Sequence, residues 1–270
     1  MTKIARTFSI LKKQKRKALI GYMTAGFPTK SSLKTLVRKL EASGLDILEI
    51  GVPFSDPIAD GPTIQHSSQI ALKNGVTLEW IFKSVNELRQ ERVQLPIVFM
   101  SYCNPIYAMG IDAFFRKAAS SGVDGVIIPD LIPEEGAPYA LAAKRHGIDL
   151  IYLVAPTTPK ARIRIVAGKT TGFLYAVSLT GVTGVQKALP AEAAGFLNYT
   201  TSVSRAPVAV GFGITTPDQA RHIARYADGV IVGSELIRQI EKSKSLSFTA
   251  ACAFVNSLRS ALDKETAHAS

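Results

Sequence analysis

Eight short apolar runs recur along the chain, at residues 18–23, 45–50, 97–101, 125–128, 149–154, 172–178, 207–211 and 229–232. They are rich in Val, Ile and Leu and lack strict polar alternation, the pattern of parallel strands covered on both faces. Between them lie amphipathic stretches at 31–42, 78–91, 112–120, 134–146, 160–167, 191–200 and 217–226, with a further one at 248–262. Pro28, Pro133, Pro159 and Pro217 stand near the starts of these stretches, and Gly44, Gly122 and Gly147 just past their ends. One helix-to-strand punctuation repeats as Ser-Gly-Leu-Asp (43–46), Ser-Gly-Val-Asp (121–124) and His-Gly-Ile-Asp (146–149). Eight strands alternating with eight helices predict a (β/α)8 TIM barrel, a single domain over 1–270. A short N-terminal helix and extra short helices in loops 2 and 8 are expected as additions. A doubly wound open sheet is the alternative, but no Gly-x-Gly-x-x-Gly follows the first run.

Composition excludes several classes. With 47% hydrophobic and 20% charged residues the chain can bury a substantial core and is not of the disordered type. No apolar run approaches the roughly 20 residues that span a bilayer. The apolar segment 8–11 is too short for a signal-peptide core. Cys103 and Cys252 form no Cys-x-x-Cys, so a reducing cytoplasm is the expected compartment. The four histidines are scattered without metal-ligand spacing, and no metal is expected. The net charge of +11 is partly concentrated in Lys-Lys-Gln-Lys-Arg-Lys at 12–17. That run lacks interleaved aromatics, so a solvated face is favoured over a nucleic-acid arm. A positive field also suits an anionic small substrate.

In a barrel of this kind the active site lies at the C-terminal ends of the strands. The second run ends in Leu-Glu-Ile-Gly-Val-Pro-Phe-Ser-Asp-Pro-Ile-Ala-Asp-Gly (48–61). Alternation puts Ile47 and Glu49 on one face and Leu48 and Ile50 on the other. A Glu buried there costs several kcal/mol unless paired or kept neutral. Asp60, in the stiff Pro/Gly loop that follows, supplies a second carboxylate in an unlike setting, the equipment of general acid/base chemistry. The sixth run leads into Leu-Thr-Gly-Val-Thr-Gly (179–184), which reads as a lid. The seventh leads into Gly-Phe-Gly (211–213), and the eighth into Gly233-Ser234 at the start of a helical stretch. Glycine loops at three consecutive strand ends, the last opening a helix, point to a phosphate site. Tyr22, Phe99, Met100, Ile127, Tyr175 and Phe212 fall at the same rim and suggest a flat apolar group on the ligand. No Gly-x-Ser-x-Gly elbow occurs, against an acyl-transfer hydrolase.

The 48–61 segment resembles the signature of the tryptophan synthase alpha subunit family. Similar stretches extend over essentially the whole chain, at 21–28, 104–107, 129–135, 181–184, 211–214 and 233–234. The resemblance implies a (β/α)8 barrel that cleaves indole-3-glycerol phosphate to indole and glyceraldehyde 3-phosphate. It also implies an alpha2beta2 heterotetramer with a beta subunit that carries pyridoxal phosphate, this chain holding no cofactor. By motif, Glu49 resembles the family's acid/base residue, Asp60 the carboxylate holding the indole N–H, and Tyr175 the aromatic beside them. Gly184, Gly213, Gly233 and Ser234 resemble the phosphate cradle, with Thr183 in the closing loop. Asp56 and Pro57, with Tyr102, Asn104 and Pro105, resemble the beta-facing surface. Two departures stand out. Leu179 occupies a position basic in some members, and the proline that commonly follows Pro-Asp-Leu directly is displaced by one place to Pro133. A stand-alone indole-releasing lyase and a non-catalytic ligand-binding barrel remain the alternatives.

Overall fold

The computed structural model describes residues 1–177, 189–211, 213–243 and 246–266. Its strands are β1 (Ala18–Thr24), β2 (Ile47–Gly51), β3 (Ile97–Met100), β4 (Gly125–Ile127), β5 (Asp149–Ile151), β6 (Leu153–Val154), β7 (Leu174–Val177), β8 (Val208–Gly211) and β9 (Gly229–Val232). All pairings among them are parallel, in the order β5-β4-β3-β2-β1-β9-β8-β7-β6. β5 and β6 are the two halves of one strand, separated by Tyr152, so the sheet closes on itself with eight barrel positions. At the break the Tyr152 N–H donates to the Thr170 hydroxyl at 3.1 Å rather than to a neighbouring strand.

Side-chain alternation divides the core in two. One set of each strand's residues, among them Leu48, Ile50, Phe99 and Val210, packs outward against the helices. The other set fills the barrel: Ala18, Ile20, Ile47, Val98, Ile127, Ile151, Phe173, Ala209 and Ile231. Phe99 thus faces the helices, its ring 5.7 Å from that of Phe82, and does not line the mouth as expected from its place at a strand end. Below the barrel, α1 (Lys3–Lys13) closes the floor, because Ile4, Phe8 and Leu11 form one stripe at helical spacing that packs into the interior cluster. Burying three such side chains contributes about 1.5–3 kcal/mol each. The Thr2 hydroxyl caps this helix by accepting the Ala5 N–H at 3.3 Å.

The outer layer comprises α2 (Ser32–Ala42), α3 (Pro62–Lys73), α4 (Leu78–Gln90), α5 (Cys103–Met109), α6 (Ile111–Ser121), α7 (Ala137–His146), α8 (Lys160–Lys169), α9 (Ala191–Val203), α10 (Pro217–Ala224), α11 (Ser234–Glu241) and α12 (Thr249–Thr266). α3 and α11 are the extra helices expected in loops 2 and 8, and α5 is a further one in loop 3. At the N-terminal ends of the strands, aspartates serve as clips. Asp46 accepts the Leu19 N–H at 2.8 Å, Asp124 that of Ile97 at 2.8 Å, and Asp228 that of Val208 at 2.9 Å. In each case the aspartate's own N–H donates back to the same residue's carbonyl, at 2.9, 2.8 and 2.8 Å. The Gly-x-Asp punctuation accounts for the first two. Asp149, the third member of that pattern, is buried, its Oδ2 has no partner among the described residues, and it makes no such clip there.

Candidate active site

Glu49 points into the barrel, in register with Tyr22 of β1 and Val98 of β3. It is 1% exposed, and its Oε2 has no hydrogen-bond partner among the described residues. An ionised carboxyl there would lose its hydration with nothing in exchange. Burial first, and the nearby charge of Asp60 second, push its pKa up to about 8. At neutral pH it is a protonated acid aimed into the barrel mouth.

Asp60 is brought over this mouth by the turn after β2, where its N–H donates to the Pro57 carbonyl at 3.0 Å. Tyr102, just past β3, locks the turn: its hydroxyl accepts the Ala59 N–H at 3.0 Å and donates to Asp60 Oδ2 at 3.1 Å. Burial raises the Asp60 pKa to about 6, and the hydrogen bond from Tyr102 works in the opposite direction. The two carboxyls therefore differ at pH 7. Glu49 keeps its proton and Asp60 is ionised, one group able to donate and the other to stabilise positive charge.

Tyr22 and Tyr175 flank the pair. Burial, with the charge of Asp60 next for Tyr22 and that of Glu49 next for Tyr175, raises both hydroxyl pKa values, so both stay donors. Tyr22 is anchored through Thr24, whose hydroxyl lies 3.4 Å from the phenol and 2.6 Å from the buried Ser67 hydroxyl. Each ring needs a glycine on a neighbouring strand. A Cβ on Gly51 would fall 2.0 Å from the Tyr22 hydroxyl, and one on Gly211 2.8 Å from that of Tyr175. Met100 is partly buried against the interior cluster, and Ile127 lies within it.

Past the ends of β8 and β9, Gly213 has φ +62°, and Gly233 caps α11, whose first residue is Ser234. The N–H groups of the first turn of a helix have no intrahelical acceptor, and with the helix dipole they form an anion seat. Thr183, Gly184 and Phe212, together with Leu179 and the expected lid, lie outside the described residues.

The residues expected to face a partner divide. Asp56 and Asn104 are exposed and Pro57 and Pro105 partly so, on loop 2 and α5. Tyr102 is corrected: at 3% exposure it is turned inward, because its hydroxyl reaches Asp60. The exposed apolar side chains on this rim are instead Ile58 (83%), Tyr107 (74%) and Ile132 (46%), one on each of loops 2, 3 and 4. Loop 4 is tied to loop 3 where Asp130 accepts the Cys103 N–H at 2.9 Å and caps α5. The displaced Pro133 is buried, and its carbonyl accepts from Lys169 Nζ at 2.8 Å.

The sequence profile of the family described as Tryptophan synthase alpha chain matches residues 8–264. The chain is 48% identical over 250 residues to the tryptophan synthase alpha chain of Dehalococcoides mccartyi, covering 93% of this chain and 97% of that one. It is 47% identical over 268 residues to that of Geobacter sulfurreducens, covering 97% and 99%. Among solved structures, tryptophan synthase subunit alpha from Legionella pneumophila superposes with a TM-score of 0.90 at 36% identity, covering 98% and 99%. A chain of tryptophan synthase from Mycobacterium tuberculosis gives 0.89 at 36% identity, covering 97% and 98%. The barrel, its paired carboxyls and these likenesses agree, and the chain belongs to the tryptophan synthase alpha chain family.

Proposed function

We propose that Glu49 and Asp60 carry the reaction of this family, the retro-aldol cleavage of indole-3-glycerol phosphate to indole and glyceraldehyde 3-phosphate. The observation that supports the roles is the buried Glu49, its Oε2 without a hydrogen-bond partner among the described residues, held protonated to about pH 8 beside a carboxyl that ionises near 6. Cleavage needs a proton delivered to the indole carbon that bears the side chain, which turns the ring into an electron sink. Glu49 supplies it. Asp60 accepts the ring N–H and stabilises the positive charge that develops on nitrogen. The side-chain hydroxyl next to the bond then gives up its proton to Glu49, the carbon–carbon bond breaks, and its electron pair returns to the ring. Aldehyde and indole leave, and Glu49 ends protonated as it began. Tyr22, Met100, Ile127 and Tyr175, with Phe212, enclose the ring. Gly213, Gly233 and Ser234 hold the phosphate through backbone N–H groups; by the family resemblance Gly184 belongs to the same cradle and Thr183 to the closing loop.

The beta subunit is the partner, in an alpha2beta2 assembly in the cytoplasm, and it holds the pyridoxal phosphate while this chain, one barrel domain, holds no cofactor. Its seat is the rim of loops 2, 3 and 4, where Asp56, Pro57, Asn104 and Pro105 surround the exposed Ile58, Tyr107 and Ile132. Apolar centres within a polar rim are the usual composition of such interfaces. The Asp60–Tyr102 bond joins that rim to the reacting centre, so partner binding shifts loop 2 toward the productive position. Indole release from indole-3-glycerol phosphate, measured with and without a tryptophan synthase beta subunit, tests both halves. The expected result is slow turnover alone and faster turnover with the partner. Normal indole release by Glu49→Gln would overturn the chemical assignment.

A further inference from the structure

The cationic run at 12–17 takes no part in that site. It lies at the opposite end of the barrel, where the end of α1, the turn into β1 and the segment 204–207 enclose an open cleft of about 640 Å³. That volume is within the range of small-molecule sites. Lys12, Lys15, Arg16, Lys17 and Arg205 line it, against the single carboxylate of Asp228. Asp228 is already engaged as the clip on Val208. Arg16 pairs with Asp263 at 2.9 Å, and Lys17 Nζ donates to the Ala227 carbonyl at 2.7 Å. Lys12, Lys15 and Arg205 have no carboxylate partner among the described residues. Lys15 stands at φ 56° in the left-handed turn that ends α1, where the Arg16 N–H returns to the Leu11 carbonyl at 2.8 Å, a conformation that glycine adopts freely. Lys12, Lys15 and Arg205 thus gather around one concavity with no carboxylate partner among the described residues. Like charges so placed repel, and a polyanion between them removes the repulsion.

We propose that this cleft binds a small polyphosphate-type anion, at a site separate from the active-site mouth and independent of the lyase assignment. A nucleic-acid strand fits less well, because the aromatic side chain in the lining, Phe8, is 5% exposed and gives bases no platform to stack on. Calorimetric titration of the full chain with inorganic triphosphate at about 0.15 M salt, where charges are screened beyond about 8 Å, tests the proposal. Saturable binding is expected, weakened about tenfold or more in Lys12→Glu/Lys15→Glu/Arg205→Glu, the worth of one charge-assisted hydrogen bond. The control Lys73→Glu/Lys83→Glu/Lys144→Glu, with the same change in net charge, should bind within about twofold of the parent, because those charges are remote from the ligand. Lys15→Gly separates binding from folding: it should melt no lower than the parent yet bind triphosphate more weakly. Equal weakening in the two triple variants would reduce the effect to net charge and overturn the site. So would parental binding by Lys15→Gly, or saturable binding of oligouridylate without binding of triphosphate.

Discussion

Glu49→Gln keeps the shape of the side chain and removes its titration, so it isolates what burial does to this carboxyl. The ordinary glutamate value of 4.5 applies in the unfolded chain, and about 8 in the fold. Folding therefore takes up a proton between those limits, and the parent protein loses stability as pH rises through that window. Integrated over the shift, the loss is about 1 kcal/mol at pH 5, about 3 at pH 7 and nearly 5 at pH 9, at roughly 1.4 kcal/mol per pH unit. The variant escapes this loss. Its buried amide carries a cost of its own, about 1–3 kcal/mol, but that cost does not depend on pH. The diagnostic quantity is therefore the slope of the difference. Urea denaturation of parent and variant at pH 5, 7 and 9 should show the variant gaining about 4 kcal/mol on the parent across the series. At pH 7 its indole release should be about 10²–10⁴ below that of the parent. A stability difference that is flat with pH would mean Glu49 titrates alike folded and unfolded. The account of it as a buried neutral acid would then be wrong.

With Asp60 ionising near 6 and Glu49 near 8, kcat/KM for indole-3-glycerol phosphate should rise through the first value and fall through the second; a profile without either limb contradicts the paired roles. Tyr102→Phe removes the donor that lowers the Asp60 pKa and leaves the Ala59 N–H unpaired, so the acid limb should move to higher pH and kcat/KM should fall by about 10-fold or more. Gly211→Ala forces the Tyr175 ring aside, and should cost about 1–3 kcal/mol of stability, read by denaturation, together with activity. Asp124→Ala strands the Ile97 N–H and takes from Arg89 the carboxylate paired to it at 2.7 Å, leaving that guanidinium only its carbonyl acceptors, and should cost about 2–4 kcal/mol while kcat is kept.

The strands were legible because their Val/Ile/Leu runs need no tertiary information to be recognised, and alternation put Ile47 and Glu49 on one shared face, which the structure turns into the barrel. Other features depend on distant residues. α5 was not read as helix because Pro105 interrupts it, yet a proline in a first turn lacks only an N–H that would have no partner there. The inward turn of Tyr102 is set by Asp60, 42 positions earlier in the chain, and no local pattern encodes that meeting. At the break, Tyr152 likewise bonds to Thr170, 18 residues on. Phe99 was assigned to the mouth because a strand end fixes height in the barrel but not, by itself, which way a side chain faces. The exposed Ile58 and Ile132 sit beside prolines in loops, and an unpaired apolar residue next to a stiff turn is the signal that would have marked them.

The aspartate clips bear on how the barrel comes apart. They join β1 to β2, β3 to β4 and β8 to β9, and each adds a side-chain bond to the backbone bond at the very start of a strand pair, where a ladder would fray first. β2–β3, β4–β5, β7–β8 and β9–β1 have no aspartate bond of this kind among the described residues. Fluctuations short of global unfolding should therefore respect the pairs: the clipped strands open together as one unit, and the seams between units open first. In amide hydrogen exchange, Leu19, Ile97 and Val208 would then be protected far longer than their positions at the ends of strands suggest, each keeping time with the strand its aspartate precedes.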